Sequence, residues 1–199
     1  MTRSLALAAC LTWLAACHAP ESSTSVPPPA RVASTAPAAP VPLPASAASA
    51  AATSLARDDG YGALRFGMDE AAVARAWGDA LDGVAAPGTS CFYLTPAGAK
   101  TPADLAFMFE GGRFVRYDVA TVQETAPGGG RVGMTAARIR ALYAARVVER
   151  PHKYVAGARY LGVTGAGAGV LVFETDADGK VTRWRAGVPP QIDYVEGCA

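Results

Sequence analysis

A sequence that repeats itself narrows its own fold, because both copies must obey the same local rules. Residues 65–78 read Arg65-Phe66-Gly67-Met68-Asp69-Glu70-Ala71-Ala72-Val73-Ala74-Arg75-Ala76-Trp77-Gly78, and residues 131–144 read Arg131-Val132-Gly133-Met134-Thr135-Ala136-Ala137-Arg138-Ile139-Arg140-Ala141-Leu142-Tyr143-Ala144. Gly-Met opens each copy. A helix-capping residue follows, Asp69 or Thr135, and then an amphipathic helix. Met68, Ala72, Val73, Ala76 and Trp77 share one helical face. Further on, Phe107-Met108-Phe109-Glu110-Gly111-Gly112-Arg113-Phe114-Val115-Arg116-Tyr117 matches Leu171-Val172-Phe173-Glu174, a longer turn, and Gly179-Lys180-Val181-Thr182-Arg183-Trp184. Both segments predict β-hairpins, each preceded by a short strand, 91–94 or 160–163. The expected fold is α+β: two tandem helix-plus-antiparallel-hairpin repeats (about 60–125 and 126–199) forming one sheet, with the helices packed on one face.

Strand alternation assigns the two faces. Val115, Tyr117, Val119 and Trp184 are assigned to the core side. Arg116, Asp118, Arg183 and Arg185 fall on the other side, expected to be the open face. Tyr154, Tyr160 and Tyr194, with Lys153, Arg159 and Arg150, are candidates for a polar-aromatic binding surface. The competing reading places strand aromatics in the core.

The N-terminus has a different logic. One charge, Arg3, precedes a short apolar run ending in Leu14-Ala15-Ala16-Cys17. This is the layout of a secretory signal, and the run falls short of the ~20 residues a membrane span requires. Leu14 to Cys17 resembles the lipobox of bacterial lipoproteins. That resemblance implies cleavage after residue 16 and acylation of Cys17, with anchoring by the acyl chains. Leu7-Ala8-Ala9-Cys10 fits the same pattern but leaves too little apolar segment before it. His18 follows Cys17, not Asp, which by the family's sorting rule implies the outer membrane, with the domain in the periplasm. Residues 17–56 are then a lipidated Cys and a Pro/Ala/Ser-rich tether, with a reach on the order of 100 Å where extended. The domain is 57–199.

Of four cysteines, Cys10 would leave with the signal and Cys17 would be acylated. Cys91 and Cys198 remain in an oxidising compartment, where an even pair is expected to bridge. Two free thiols or a metal site are the alternatives, and no histidine stands near either Cys in the sequence to favour zinc.

The Phe66-Gly67-Met68 phrase, its helix and the antiparallel strands resemble the repeat of the β-lactamase inhibitor protein, which has two in tandem. They are also similar to the BamE/SmpA type of outer-membrane lipoprotein. The inhibitor's sheet face binds its target, and the BamE type supports outer-membrane protein assembly, so the resemblance implies a protein partner. Tyr194 to Cys198 resembles the chain end of small uncharacterised exported lipoproteins, some described as lectins.

Catalytic patterns are sparse. His152 is the one histidine of the domain and Ser90 its one serine. No Gly-x-Ser-x-Gly elbow surrounds Ser90, and Pro151-His152-Lys153 reads as surface. Asp69-Glu70 suits a helix N-terminus. Asp176-Ala177-Asp178-Gly179 lacks the spacing of a calcium loop and reads as a turn. Gly128-Gly129-Gly130 has no P-loop Lys after it. The formal net charge is +1, with no basic stripe for nucleic acid. The expectation is a membrane-anchored, non-enzymatic binding module without cofactor or metal. Its expected partner is a protein; a cell-wall glycan is the alternative.

Overall fold

Each Gly-Met pair is bonded to the hairpin of its own repeat. The computed structural model describes residues 54–99, 104–165, 167 and 169–198. Gly67 N donates to Phe114 O, and Phe114 N returns to Met68 O, both at 2.8 Å. In the second copy Gly133 N donates to Val181 O and Val181 N to Met134 O, again at 2.8 Å. Gly67 and Gly133 have φ of 89° and 87°, a region that side chains disfavour. Two eight-residue helices follow, α1 (Glu70–Trp77) and α2 (Ala136–Tyr143). Asp69 accepts from Ala72 N at 2.8 Å and Thr135 from Arg138 N at 3.2 Å, so both caps act as the sequence suggests.

The strands are β1 (Ala56–Arg57), β2 (Gly60–Tyr61), β3 (Leu64–Arg65), β4 (Leu81–Asp82), β5 (Cys91–Pro96), β6 (Leu105–Glu110), β7 (Arg113–Val119), β8 (Val147–Pro151), β9 (Arg159–Thr164), β10 (Val170–Thr175) and β11 (Val181–Gly187). β1, β2 and β3 form a small sheet. The other eight form one antiparallel sheet in the order β4-β5-β6-β7-β11-β10-β9-β8. Ala56, which the sequence placed in the tether, lies in β1. Cys17 and the residues before 54 lie outside the described part.

The α+β expectation is overturned. The described chain is mostly β, an eight-stranded and a three-stranded sheet with only two short helices. Size explains why. Eight residues of helix run about 12 Å, whereas eight strands at ~4.8 Å spacing span more than 30 Å. The helices therefore supply only Val73, Ala136, Ile139 and Tyr143 as buried residues. Tyr61 and Leu64 of the small sheet join the same core, with Phe107, Phe109, Phe114, Tyr117, Phe173 and Trp184 from the large one. Tyr61 contacts the rings of Trp77, Phe107 and Tyr117.

Both repeats carry a β-bulge at the same place. Phe109 pairs with Phe114 and Met108 with Arg116, which leaves Val115 unpaired. Thr175 pairs with Val181 and Glu174 with Arg183, which leaves Thr182 unpaired. The extra residue breaks the alternation at Val115, so Phe114, not Val115, joins the main core.

The repeats meet at the β7–β11 seam. Val119 faces Trp184, Asp118 faces Arg185, and Tyr117 faces Ala186. In repeat numbering Tyr117 corresponds to Trp184 and Asp118 to Arg185. The seam thus has local twofold symmetry centred on the Asp118–Arg185 pair.

Candidate functional site

The register places Tyr93, Ala106, Arg116, Asp118, Arg185, Arg183, Glu174 and Tyr160 on the face opposite the aromatic core. This is the face expected to be open. It is covered. After β11, residues 188–198 fold back across it as a strap, and the Cys91–Cys198 disulfide fixes the far end. The bridge spans 107 residues, with Cα atoms 5.3 Å apart.

Buried guanidinium groups need acceptors, and strap carbonyls supply them. Arg116 Nη1 donates to Gln191 O at 2.9 Å and Tyr194 O at 2.6 Å. Its Nε and Nη2 grip Asp118 at 2.9 and 2.6 Å. Arg185 donates from Nε to Ile192 O at 2.8 Å and from Nη1 to Glu174 Oε2 at 3.1 Å. Ile192 is buried against Tyr160 and Val172. Gln191 and Tyr194 also donate to Glu110. Arg116 is 3% exposed, Arg185 1% and Tyr160 5%, so three expected surface residues belong to the interior. Burial, followed by the nearby Arg116 charge, holds the Arg185 guanidinium below its usual value against Asp118 and Glu174. Arg183 and Tyr154 remain exposed, and Asp118 is partly so.

His152 is not at the surface; its side chain is 8% exposed. Nε2 lies 3.0 Å from Glu174 Oε1, and Nδ1 accepts from Tyr154 N and Val155 N at 3.1 Å. Nδ1 is therefore an acceptor, and Nε2 donates to Glu174. The ring stacks on Tyr160 at 4.6 Å. Nδ1 thus holds the 152–155 turn, and Nε2 ties that turn to Glu174 of β10. Ser90 O accepts from Gly111 N at the hairpin turn. Among the described residues, no three His, Cys, Asp or Glu converge as a metal site.

What remains accessible is a cleft of about 460 Å³ between sheet and strap. Tyr93, Ala106, Asp118, Ala120 and Arg183 line the sheet side; Val195, Glu196 and Gly197 line the strap side. Tyr93 donates to Asp118 at 3.3 Å. Burial, then the Asp118 charge, raises the Tyr93 hydroxyl well above its ordinary range, so it stays protonated. The sequence reading missed Tyr93, Glu174, Glu196 and the strap. One signal was available: bridging Cys198 to a sheet strand carries the chain end back to that strand.

No family model and no curated protein matches the chain. Two solved structures are similar. One is an extracellular protein containing an SCP domain from Bacillus anthracis str. Ames, with TM-score 0.42, 11% identity, and coverage of 62% of this chain and 44% of that one. The match thus spans less than half of the Bacillus chain. The other is the uncharacterized protein yfeY from Escherichia coli, with TM-score 0.45, 16% identity, and coverage of 68% and 99%.

Proposed function

We propose that the chain is a lipid-anchored, non-enzymatic binding module of the bacterial outer membrane that holds a protein partner at the sheet–strap cleft. The cleft's make-up carries this reading. Small apolar side chains from both sides (Ala106 and Ala120 on the sheet side, Val195 on the strap) line the cleft beside Tyr93, Arg116 and Asp118, and it also bears the exposed Arg183 and Glu196. Apolar surface interspersed with fixed charges suits a protruding partner side chain. The walls are preorganised by a disulfide and by buried ion pairs, which lowers the ordering cost of binding. Arg116, Asp118, Arg185, Glu174 and His152 are engaged in holding the fold together. The lipobox and the tandem repeat motif support an envelope location and a protein partner.

A crosslinking amino acid at position 183 should capture one defined partner in intact cells. Filling the cleft with Ala120→Trp should abolish the capture while the folded domain persists. Undiminished capture in Ala120→Trp would remove the cleft from consideration. Tyr154, 59% exposed beside Lys153, favours a second reading, glycan binding. Retention on peptidoglycan that is lost in Tyr154→Ala would establish that reading instead.

A further inference from the structure

We propose that the Cys91–Cys198 bridge is a thiol–disulfide exchange site, and that a dithiol acting there releases the strap without unfolding the sheet. Three observations carry this. First, both cysteines are half-buried and line a surface cleft of about 430 Å³ that shares Val195, Glu196 and Gly197 with the binding cleft, so an external thiol can reach them. Second, the strap has no ladder of strand pairing to the sheet. Besides the bridge, it is held by arginine-to-carbonyl hydrogen bonds, the Glu110 contacts, one Val188 N→Val115 O bond at 2.9 Å, side-chain ion pairs and the Ile192 plug. Third, the sheet core lies on the opposite face and contains no strap residue. Local opening at such a segment costs less than global unfolding.

The exchange balances as two steps. A thiolate of the dithiol attacks Cys198 Sγ, the S–S electron pair goes to Cys91 Sγ, and Cys91 takes a proton. The second thiol of the reagent, deprotonated, then attacks the mixed disulfide. Cys198 leaves as a thiolate and is protonated, and the dithiol becomes a disulfide. The cleft sets the preferred reagent. Glu110, Asp193 and Glu196 line it against Lys153, with Arg150 paired to Asp193 from outside, so the surround carries about one net negative charge. An acidic surround repels anionic thiols and favours a cationic one, or a protein dithiol with a basic rim.

Release would also dismantle the binding cleft, since Val195, Glu196 and Gly197 form one wall of it. That consequence rests on the cleft being the binding site; the exchange chemistry does not.

The test uses the oxidised full chain without denaturant. Thiol trapping follows its reduction by cysteamine, a cation, and by mercaptoacetate, an anion. Hydrogen exchange is then compared between oxidised and dithiothreitol-reduced protein. Relative to their rates with a small uncharged disulfide at the same pH, cysteamine should react faster than mercaptoacetate by about threefold or more at low salt, with the gap closing as salt rises. Exchange across 188–198 should accelerate about tenfold or more while 105–119 stays protected. The Cys91→Ser/Cys198→Ser double variant should reproduce the mobile strap without any thiol reagent. Three results would each overturn the proposal: a bridge that resists both thiols until denaturant is added, a strap equally protected in the double variant, or joint loss of protection in strap and sheet. Equal relative rates with the two thiols would overturn the acidic-cleft selectivity. Crosslinking from position 183 separates the two ideas. If nothing is captured from either redox form, the binding reading fails while the exchange data still decide the latch.

Discussion

Arg116 and Tyr194, 78 residues apart, are joined by a 2.6 Å hydrogen bond from a buried guanidinium to a backbone carbonyl. The same guanidinium makes a bidentate pair with Asp118, whose side chain is 19% exposed. Arg116→Met should therefore destabilise the domain by about 3 kcal/mol, because it strands a mostly buried carboxylate. Arg116→Met/Asp118→Leu should lose less than the single variant. Urea midpoints of the two proteins check this. A double variant as unstable as the sum of its singles would show that the pair is not coupled.

Gly187 faces Arg116 across the seam. A Cβ there would lie 2.7 Å from Arg116 Cβ and 2.8 Å from Val115 O, and the backbone oxygen cannot turn aside. Gly187→Ala should cost about 2 kcal/mol or more, by forcing the seam apart. Thermal unfolding gives the answer; an unchanged midpoint would mean the seam relaxes freely.

Tyr143 is buried, accepts from Gly130 N and donates to Pro127 O. Burial pushes its hydroxyl up to about 12, from 10.0. Tyr61, Tyr93 and Tyr117 shift the same way, also through burial first. Between these values the unfolded chain releases protons that the folded chain keeps. Stability is thus full below pH 10 and falls as pH rises from about 10 towards 12. Denaturation midpoints across that range should decline, and more shallowly in Tyr143→Phe. A flat profile would contradict the shift.

Asp69 and Thr135 cap equivalent helices by the same bond. Asp69→Ala and Thr135→Ala should each cost about 1 kcal/mol, and the costs should add, since the two sites share no partner. Chemical denaturation of the two singles and the double variant tests both the size and the additivity.

Local rules were legible where they act within a few residues. Both caps, both hairpins and the faces of Tyr117, Trp184, Arg116 and Arg185 followed from spacing alone. Three features did not. The bulges at Val115 and Thr182 depend on cross-strand register, which alternation within one strand does not report. The small sheet at 56–65 uses two-residue strands, too short for a period. The strap was the costliest omission. Arg116 and Arg185 read as solvent-facing because their acceptors include strap carbonyls, about 75 residues away for Arg116 and seven for Arg185, and carbonyls have no sequence signature. For the same reason His152 read as surface, although its partners are two backbone N–H groups and Glu174.

The seam between the repeats carries a further implication. Equivalent strands meet antiparallel, with equivalent positions directly opposite at the centre. This is how two identical subunits pair about a twofold axis. Either repeat alone would leave its β7-like strand as an unpaired edge, open to pairing with a second copy. Duplication within one chain makes that association permanent and concentration-independent. It also frees the central position from symmetry. Identical copies would place like charges face to face there; the present chain sets Asp118 against Arg185.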